Sequence, residues 1–266
     1  MPQNVMASPS RSLSPRQGAT KKVGSLRTMW LIAWRQIGEA MRNRSTLVMT
    51  GFFLMIQTVL IWISLRPLAQ GHVSPKEAGF VGTLMAFYLL YVGLMPTTPA
   101  VGIASGVFAG DKERGCLTPL LVTPASNASI FAGKVLGAVL PALLCAVIGI
   151  VVYFVEIVLF FGPEKLVLLP VSIVVLILLV IPAIALLGAA LASVISSRVS
   201  TFQSAQNYSS LIVIVLWFGL AGLLFLVAAW GLWTFATAVV ALYVVDVLLI
   251  VISAATWRRE EVMARQ

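Results

Sequence analysis

Long hydrophobic runs, separated by short polar stretches, dominate the chain from residue 46 onward. A helix that crosses a membrane needs about 20 predominantly apolar residues. The first four runs predict spans at about 46–65, 79–109, 130–154 and 166–195. A fifth span is predicted to start near 202–208, and the run 211–256 is long enough to hold its remainder and a sixth span. We expect these two spans to turn near Trp230, Gly231 and Trp233, because Trp prefers membrane interfaces.

The segment 25–44, before the first span, shows the hydrophobic period of a helix. Apolar side chains recur at i, i+3, i+4 and i+7, at Leu26, Met29, Trp30, Ala33, Trp34, Ile37 and Met41. Arg27, Arg35 and Arg42 fall on the opposite side. The pattern predicts an amphipathic helix at the membrane surface. Packing against protein would produce the same pattern, and both arrangements can hold at once.

Prolines interrupt two of the predicted spans. The sequence Pro96-Thr97-Thr98-Pro99 lies inside the second span, and proline breaks or kinks a helix because it has no backbone N–H. Two interpretations stay open there. One is a simple kink, and the other is a break that lines a substrate path with backbone groups and with Thr97 and Thr98. Pro182 predicts a kink in the fourth span.

Two acidic residues lie inside or beside the hydrophobic runs. Asp246 is the single charge between residues 211 and 256 and lies twelve residues before Arg258, about 18 Å into the membrane at 1.5 Å per residue. A buried acid is costly there and marks a functional site by default, so Asp246 is a candidate for the substrate path. The alternative is a structural hydrogen bond to a neighbouring Tyr or Ser. Glu156 is expected near the outer interface, in contact with solvent.

Composition agrees with this architecture. Hydrophobic residues make up 60% of the 266 residues, and charged residues make up only 10%, whereas soluble domains are about a quarter charged. We therefore expect an all-α integral membrane protein with six transmembrane helices at 45–257, preceded by the amphipathic interfacial helix at 25–44.

Basic residues predict the orientation of the chain. The net charge is +9, and residues 1–45 hold eight Lys or Arg residues. Beside a membrane span, such a basic segment indicates retention on the cytoplasmic side of the inner (plasma) membrane rather than binding to nucleic acid. The segments 1–24 and 258–266 are expected to be cytoplasmic tails, the first of them disordered. Two cytoplasmic termini require an even number of spans, in agreement with six.

Residue types that are typical of catalysis or metal binding are scarce. His72 is the single histidine, and Cys116 and Cys145 have no metal-type neighbours. The ATP-binding pattern Gly-x-x-x-x-Gly-Lys-Ser/Thr does not occur. We therefore expect no enzyme active site, no ATPase site and no cofactor in this chain.

The stretch 110–134 is the only long polar interruption in the middle of the chain. Thr118 before Pro119 suits the start of a helix, and Pro124 suits its end. The short helix between them would expose apolar side chains, at Leu120, Leu121 and Val122. From the pattern alone, a docking surface and an ordinary loop with its leucines tucked under the membrane helices are equally good interpretations.

The residues 111–134, DKERGCLTPLLVTPASNASIFAGK, resemble the signature of ABC-2 family permeases, the membrane subunits of type-2 ABC exporters. The matching positions are Glu113, Arg114, Gly115, Leu117, Leu120, Leu121, Thr123, Pro124, Gly133 and Lys134. Cys116 stands where the family usually has Thr, and Thr118 stands where it usually has Glu. The layout is also similar to that of the family, with an amphipathic helix, six spans and both termini inside.

This resemblance implies an export permease that is driven by a separate ATP-binding cassette ATPase. A dimer of ATPase subunits would dock beneath this chain and a second copy of it or a homologous permease. The helix from about Leu117 to Thr123 would be a cytoplasmic coupling helix, and the helix 25–44 would make a second contact. The ATPase-coupling residues that follow from the resemblance are Glu113, Arg114, Leu117, Thr118, Leu120, Leu121 and Pro124.

The apolar interior of the predicted spans makes a lipid, a hydrophobic drug or an amphipathic peptide the most plausible substrate. Two other classes of protein stay open as alternatives. A secondary transporter would use an ion gradient, and such proteins often show internal repeats and several buried charges. An integral membrane assembly factor is the second alternative.

Overall fold

A computed structural model describes residues 25–42, 44–69, 75–95, 97–115 and 127–256, and every element within them is helical. The elements are α1 (Ser25–Arg42), α2 (Arg44–Ala69), α3 (Pro75–Leu94), α4 (Thr97–Glu113), α5 (Asn127–Phe161), a 3₁₀ helix (Pro163–Leu168), α6 (Val171–Arg198), α7 (Phe202–Trp230) and α8 (Leu232–Thr256). The predicted all-α class is thus confirmed for the described residues. The predicted tails, 1–24 and 258–266, lie outside them.

Several of these helices are suited to a membrane. By length and composition, four helical stretches among the described residues can cross one, at Ala78–Glu113, Ser129–Phe161, Val171–Arg198 and Trp233–Ser253. Thr50–Arg66 is a shorter apolar helix, and α7 has 29 residues. The structure therefore supports a multi-pass membrane protein, and the total of six spans stays a prediction.

One helix ends and another begins at two positions that the sequence indicated. The predicted second span divides into α3, which ends at Leu94, and α4, which begins at Thr97. The predicted turn between the last two spans is a single residue, Gly231, with φ of 85°. Glycine populates this left-handed region without the steric cost that a Cβ would bring. Pro182 lies inside α6, which continues on both sides of it.

The third predicted span is shorter than the helix that the structure shows. It was expected to finish near 154, but α5 continues to Phe161 and contains Glu156 within its helix. The expectation that Glu156 contacts solvent is wrong, because its side chain is only 7% exposed. Its carboxylate accepts a hydrogen bond from Thr58 of α2. A charge does not have to end a buried helix when another helix supplies a hydrogen-bond donor.

Helices α5 and α6 lie at the centre of the molecule. Helices α1, α2, α3 and α4 contact α5, while α3, α4, α7 and α8 contact α6. Small side chains on α6 allow close approach, and the fully or almost fully buried alanines are Ala183, Ala185, Ala189, Ala190 and Ala192. A Cβ on Gly188 would lie 2.9 Å from Cγ2 of Val101 in α4. Small residues at such contacts are typical of helices that pack inside membranes.

Two hydrophobic clusters hold the helices together. One surrounds Tyr153, whose hydroxyl donates to the Met85 carbonyl over 2.8 Å and joins α5 to α3. The other surrounds Phe108 and Phe131, whose rings stack with centroids 5.7 Å apart and join α4 to α5. The second cluster lies where the chain leaves α4 and re-enters at α5, so it positions both ends of the segment 116–126.

Helix α1 packs on α5 and also keeps an exposed aromatic side. Ala33 is fully buried, and a Cβ on Gly137 of α5 would lie 2.0 Å from Oε1 of Gln36. The Trp30 and Trp34 side chains are 53% and 63% exposed. The predicted helix is therefore present, with one side on protein and an aromatic side free to meet a membrane surface.

Candidate coupling site

Three consecutive charged residues, Asp111, Lys112 and Glu113, end α4. Successive side chains on an α-helix point about 100° apart. The three side chains therefore fan out around α4, and each reaches a different helix.

Asp111 pairs with Lys134 of α5. The Nζ atom of Lys134 donates to Oδ2 of Asp111 and to the Val107 carbonyl, each over 2.6 Å. The same Nζ lies 4.4 Å from the centroid of the Phe108 ring. The Lys134 side chain is only 2% exposed, whereas that of Asp111 is 34% exposed. A buried ammonium needs such partners, because removing it from water is costly.

Lys112 binds the end of α6. Its Nζ donates to the carbonyls of Ser197 and Val199, over 2.9 and 3.2 Å. Carbonyl groups at the end of a helix lack hydrogen-bond donors within the helix and carry partial negative charge. A lysine there supplies the missing donor and a favourable positive charge.

Glu113 binds the start of α7. Its Oε1 accepts a hydrogen bond of 2.8 Å from the backbone N–H of Phe202. Thr201 caps the same helix, since its Oγ1 accepts from the Ser204 N–H over 3.2 Å. A carboxylate is favourable at the positive end of a helix dipole.

Ser196 forms a fourth contact between α4 and a neighbouring helix. Its buried hydroxyl oxygen accepts hydrogen bonds from the backbone N–H groups of Phe108 and Ala109, over 3.1 and 2.9 Å. This joins the last turns of α4 and α6. We call the set Asp111, Lys112, Glu113, Lys134 and Ser196 the α4 clamp, because it binds the end of α4 to α5, α6 and α7.

The structure describes the predicted ATPase-coupling residues only in part. Glu113 belongs to the α4 clamp, and Arg114 is exposed directly after it. The remaining predicted coupling residues lie outside the described residues, namely Leu117, Thr118, Leu120, Leu121 and Pro124. The clamp therefore holds the two ends of the segment that contains them.

The predicted substrate-path residues lie on two helices. Thr97 begins α4, and Thr98 is half-buried, with its N–H donating to the Met95 carbonyl over 3.3 Å. Asp246 of α8 is fully buried, and neither of its carboxylate oxygens has a hydrogen-bond partner among the described residues. Tyr243, one turn earlier, donates to the Leu179 carbonyl of α6 over 2.9 Å. The alternative interpretation of Asp246 was a structural hydrogen bond to a neighbouring Tyr or Ser, but the hydroxyl of Tyr243 donates to the backbone and not to Asp246.

Sequence reasoning missed the partners of the clamp. It identified Lys134 only as a position of the family signature, and it gave Lys112 and Ser196 no role. The available signal was the run of three charges at a helix end, because charges that fan out around an apolar helix must meet neighbouring helices.

Comparison with known proteins points to a class. No family model matches this chain. The chain is 28% identical over 124 residues to the probable ABC transporter permease protein NosY of Pseudomonas aeruginosa, covering 46% of this chain and 42% of that protein. It is 27% identical, with the same coverage, to the protein of the same name from Stutzerimonas stutzeri. This similarity supports an ABC transporter permease.

The alignment covers only part of each relative. This chain spans 42% of the length of the curated relatives that it matches. Both relatives are named as probable ABC transporter permeases. A multi-pass position in a membrane also agrees with the long apolar helices among the described residues.

Proposed function

We propose that this chain is the permease subunit of an ABC-2 type exporter and that a separate ATPase dimer drives it through the segment 116–126. The observation that carries the proposal is the α4 clamp. Its ion pair of 2.6 Å joins Asp111 of α4 to Lys134 of α5, the two helices that flank the segment. Lys112 and Glu113 extend the connection to α6 and α7. A force on the segment then moves several membrane helices together.

Three further points support this proposal. The residues 111–134 resemble the signature of ABC-2 permeases, and the chain is similar to probable ABC permeases over 124 residues. Helix α1 rests on α5 and carries the exposed ion pair between Arg35 and Glu39. In the proposed complex, α1 is the second contact with the ATPase, at the cytoplasmic face of the inner membrane, with both chain termini on that side.

The proposed complex contains a second copy of the permease or a homologous one. Helices α2 and α8 support this, because they present large apolar side chains outward to lipid or to another permease. The most exposed of them are Val48, Ile63, Trp233, Val240, Val247 and Val251. The proposed substrate is a lipid, a hydrophobic drug or an amphipathic peptide.

Charged substitutions in the segment test the proposal. Leu120→Asp and Leu121→Asp should each reduce co-purification of the ATPase subunit at least tenfold and abolish substrate-stimulated ATP hydrolysis, because an exposed apolar contact would become charged. Ser200→Asp, in the exposed connection between α6 and α7, is the matched control and should retain both properties. Retention of ATPase binding and of coupled hydrolysis in both leucine variants would contradict the proposal.

A second candidate function is transport driven by an ion gradient. Two acids are buried in apolar helices, Glu156 with 7% exposure and Asp246 with none, and ion-coupled transporters use such residues. Reconstituted vesicles separate the two functions. Uptake that needs the ATPase and ATP favours the exporter, whereas uptake that follows an imposed proton or sodium gradient without the ATPase favours the second candidate.

A further inference from the structure

Helix α2 presents a line of polar side chains to the rest of the molecule. Thr50, Gln57 and Ser64 recur at intervals of seven residues, which places them on one face of the helix. The hydroxyl of Thr50 donates to the Cys145 sulfur of α5 over 3.8 Å, and the Ser64 hydroxyl bonds with the Tyr88 hydroxyl of α3. Polar contacts therefore run along the length of this apolar helix.

The middle of this line is incompletely satisfied. Thr58 donates to Oε1 of Glu156, while Oε2 of that carboxylate has no hydrogen-bond partner among the described residues. Gln57 lies beside the same carboxylate and is 3% exposed, yet its Nε2 makes no hydrogen bond of ordinary geometry. Leaving a buried donor and a buried carboxylate oxygen without hydrogen-bond partners is unfavourable, and more so when the group is charged.

A small cavity adjoins the same position. Its walls come from α2, from the junction of α3 and α4, and from α5, and they include Thr50, Gln57, Met95, Pro99 and Cys145. Its volume is about 20 Å³, which is room for about one water molecule. A group larger than a water molecule therefore needs the walls of this cavity to separate.

Apolar side chains border the unpaired polar groups on the outer surface. Leu60 follows Gln57 by three residues, and Leu159 and Phe160 follow Glu156 by three and four, so each lies beside its polar neighbour on the same side of the helix. These three side chains are 39%, 74% and 44% exposed. The buried polar side chains thus lie beside an exposed apolar surface that lipid can contact.

We propose that Gln57 and Glu156 form a binding site for the cationic head group of an amphipathic molecule, whose tail lies along Leu60, Leu159 and Phe160. This inference rests on the proposed transport function and specifies its substrate class. The free oxygen of Glu156 suits an ammonium group, and Nε2 of Gln57 suits an acceptor atom next to it.

Photolabelling of the full chain in lipid nanodiscs tests the site. The probes are three long-chain alkyl compounds with a diazirine beside the head group, which is an ammonium, a hydroxyl or a sulfonate. The ammonium probe should label peptides around residues 57 and 156 at least fivefold more strongly than the other two. Glu156→Gln and Gln57→Leu should each lower that labelling at least fivefold. Glu156→Asp, which keeps a carboxylate, should retain most of it and reports on the site if another variant fails to fold.

The control is Glu164→Gln, the same change at an exposed acid in the 3₁₀ helix, which should leave labelling unchanged. Equal labelling by the three probes, or full labelling of Glu156→Gln, would overturn the inference. Displacement of the ammonium probe by sodium chloride as effectively as by unlabelled alkylammonium would also overturn it, in favour of an inorganic cation. The assay needs no ATPase, so its failure leaves the coupling proposal standing, and failure of the leucine test leaves this site standing.

Discussion

Lys134 and Asp111 join α5 to α4 through an ion pair of 2.6 Å, and the chain between them contains the segment 116–126. The amine of Lys134 is buried and also binds the Val107 carbonyl. This ion pair therefore ties together the two helices that precede and follow the segment, and neither helix can shift alone without separating Lys134 from its counter-charge.

Removing the acid from this pair should destabilise the protein. We expect Asp111→Asn to lower the free energy of unfolding by about 2–4 kcal/mol, because the buried ammonium of Lys134 loses its counter-charge. Thermal inactivation in detergent, followed by size-exclusion chromatography, measures the loss.

Two variants control this measurement. Glu39→Gln breaks the exposed pair with Arg35, whose side chains are 79% and 61% exposed, and should cost less than about 0.5 kcal/mol. The double change Asp111→Asn with Lys134→Met should recover much of the stability, because it also removes the buried charge. Equal losses of stability in Asp111→Asn and Glu39→Gln would show that the buried ion pair contributes no more than the exposed one.

Replacing Glu113 should lower the stability of the protein, because Glu113 caps α7. Glu113→Ala removes the acceptor for the Phe202 N–H at the start of α7, and loss of such a cap costs about 1 kcal/mol. Glu113→Gln keeps an acceptor oxygen and should cost less. A variant Glu113→Ala with unchanged thermal stability but weakened ATPase binding would instead assign Glu113 to the docking surface alone.

Enlarging Gly137 should push α1 away from α5. A Cβ there would lie 2.0 Å from Oε1 and 2.8 Å from Cβ of Gln36. Gly137→Val should cost about 1–3 kcal/mol and make the arginines of α1 more accessible to trypsin. Gly102→Ala is the matched control, since a Cβ there meets nothing within 4 Å. Identical digestion of the two variants would contradict this close contact.

We expect Asp246 to lower the stability of the protein while it contributes to transport. Asp246→Asn removes a fully buried carboxylate that has no hydrogen-bond partner among the described residues. Stability should rise by about 1–3 kcal/mol, while transport by the reconstituted complex falls if the acid lies on the substrate path. Transport at the wild-type rate in Asp246→Asn would assign the acid a structural role. Glu164→Gln, at an exposed acid, should change neither quantity.

Local backbone chemistry made part of the fold predictable. The break before Thr97 follows from Pro96, which has no N–H to continue the preceding helix, whereas Pro99 lies in the first turn of α4, where no N–H is needed. The turn at Gly231 follows from a glycine between Trp230 and Trp233, two residues of a type that prefers membrane interfaces. Both predictions are confirmed, since neither depends on a partner elsewhere in the chain.

Pairings between distant residues were not predictable in the same way. Glu156 was expected in solvent because a lone charge near the end of a hydrophobic run resembles an interface residue, but its partner Thr58 lies 98 residues away. Lys134 was likewise identified only as a position of the family signature. Its burial was not predictable, because it depends on how α4 and α5 pack. The sequence shows that these charged residues need partners, but it does not indicate which residues those partners are until the helices are placed side by side.

The fan of Asp111, Lys112 and Glu113 limits where the chain can change in length. One residue inserted between Ala109 and Asp111 would rotate all three side chains by about 100° and separate each from its partner at once. Insertions within 116–126 would leave every one of these contacts in register. For folding alone, changes in length should therefore be confined to that segment, and a selection for folded protein on a library of single-residue insertions would recover the boundary at Glu113.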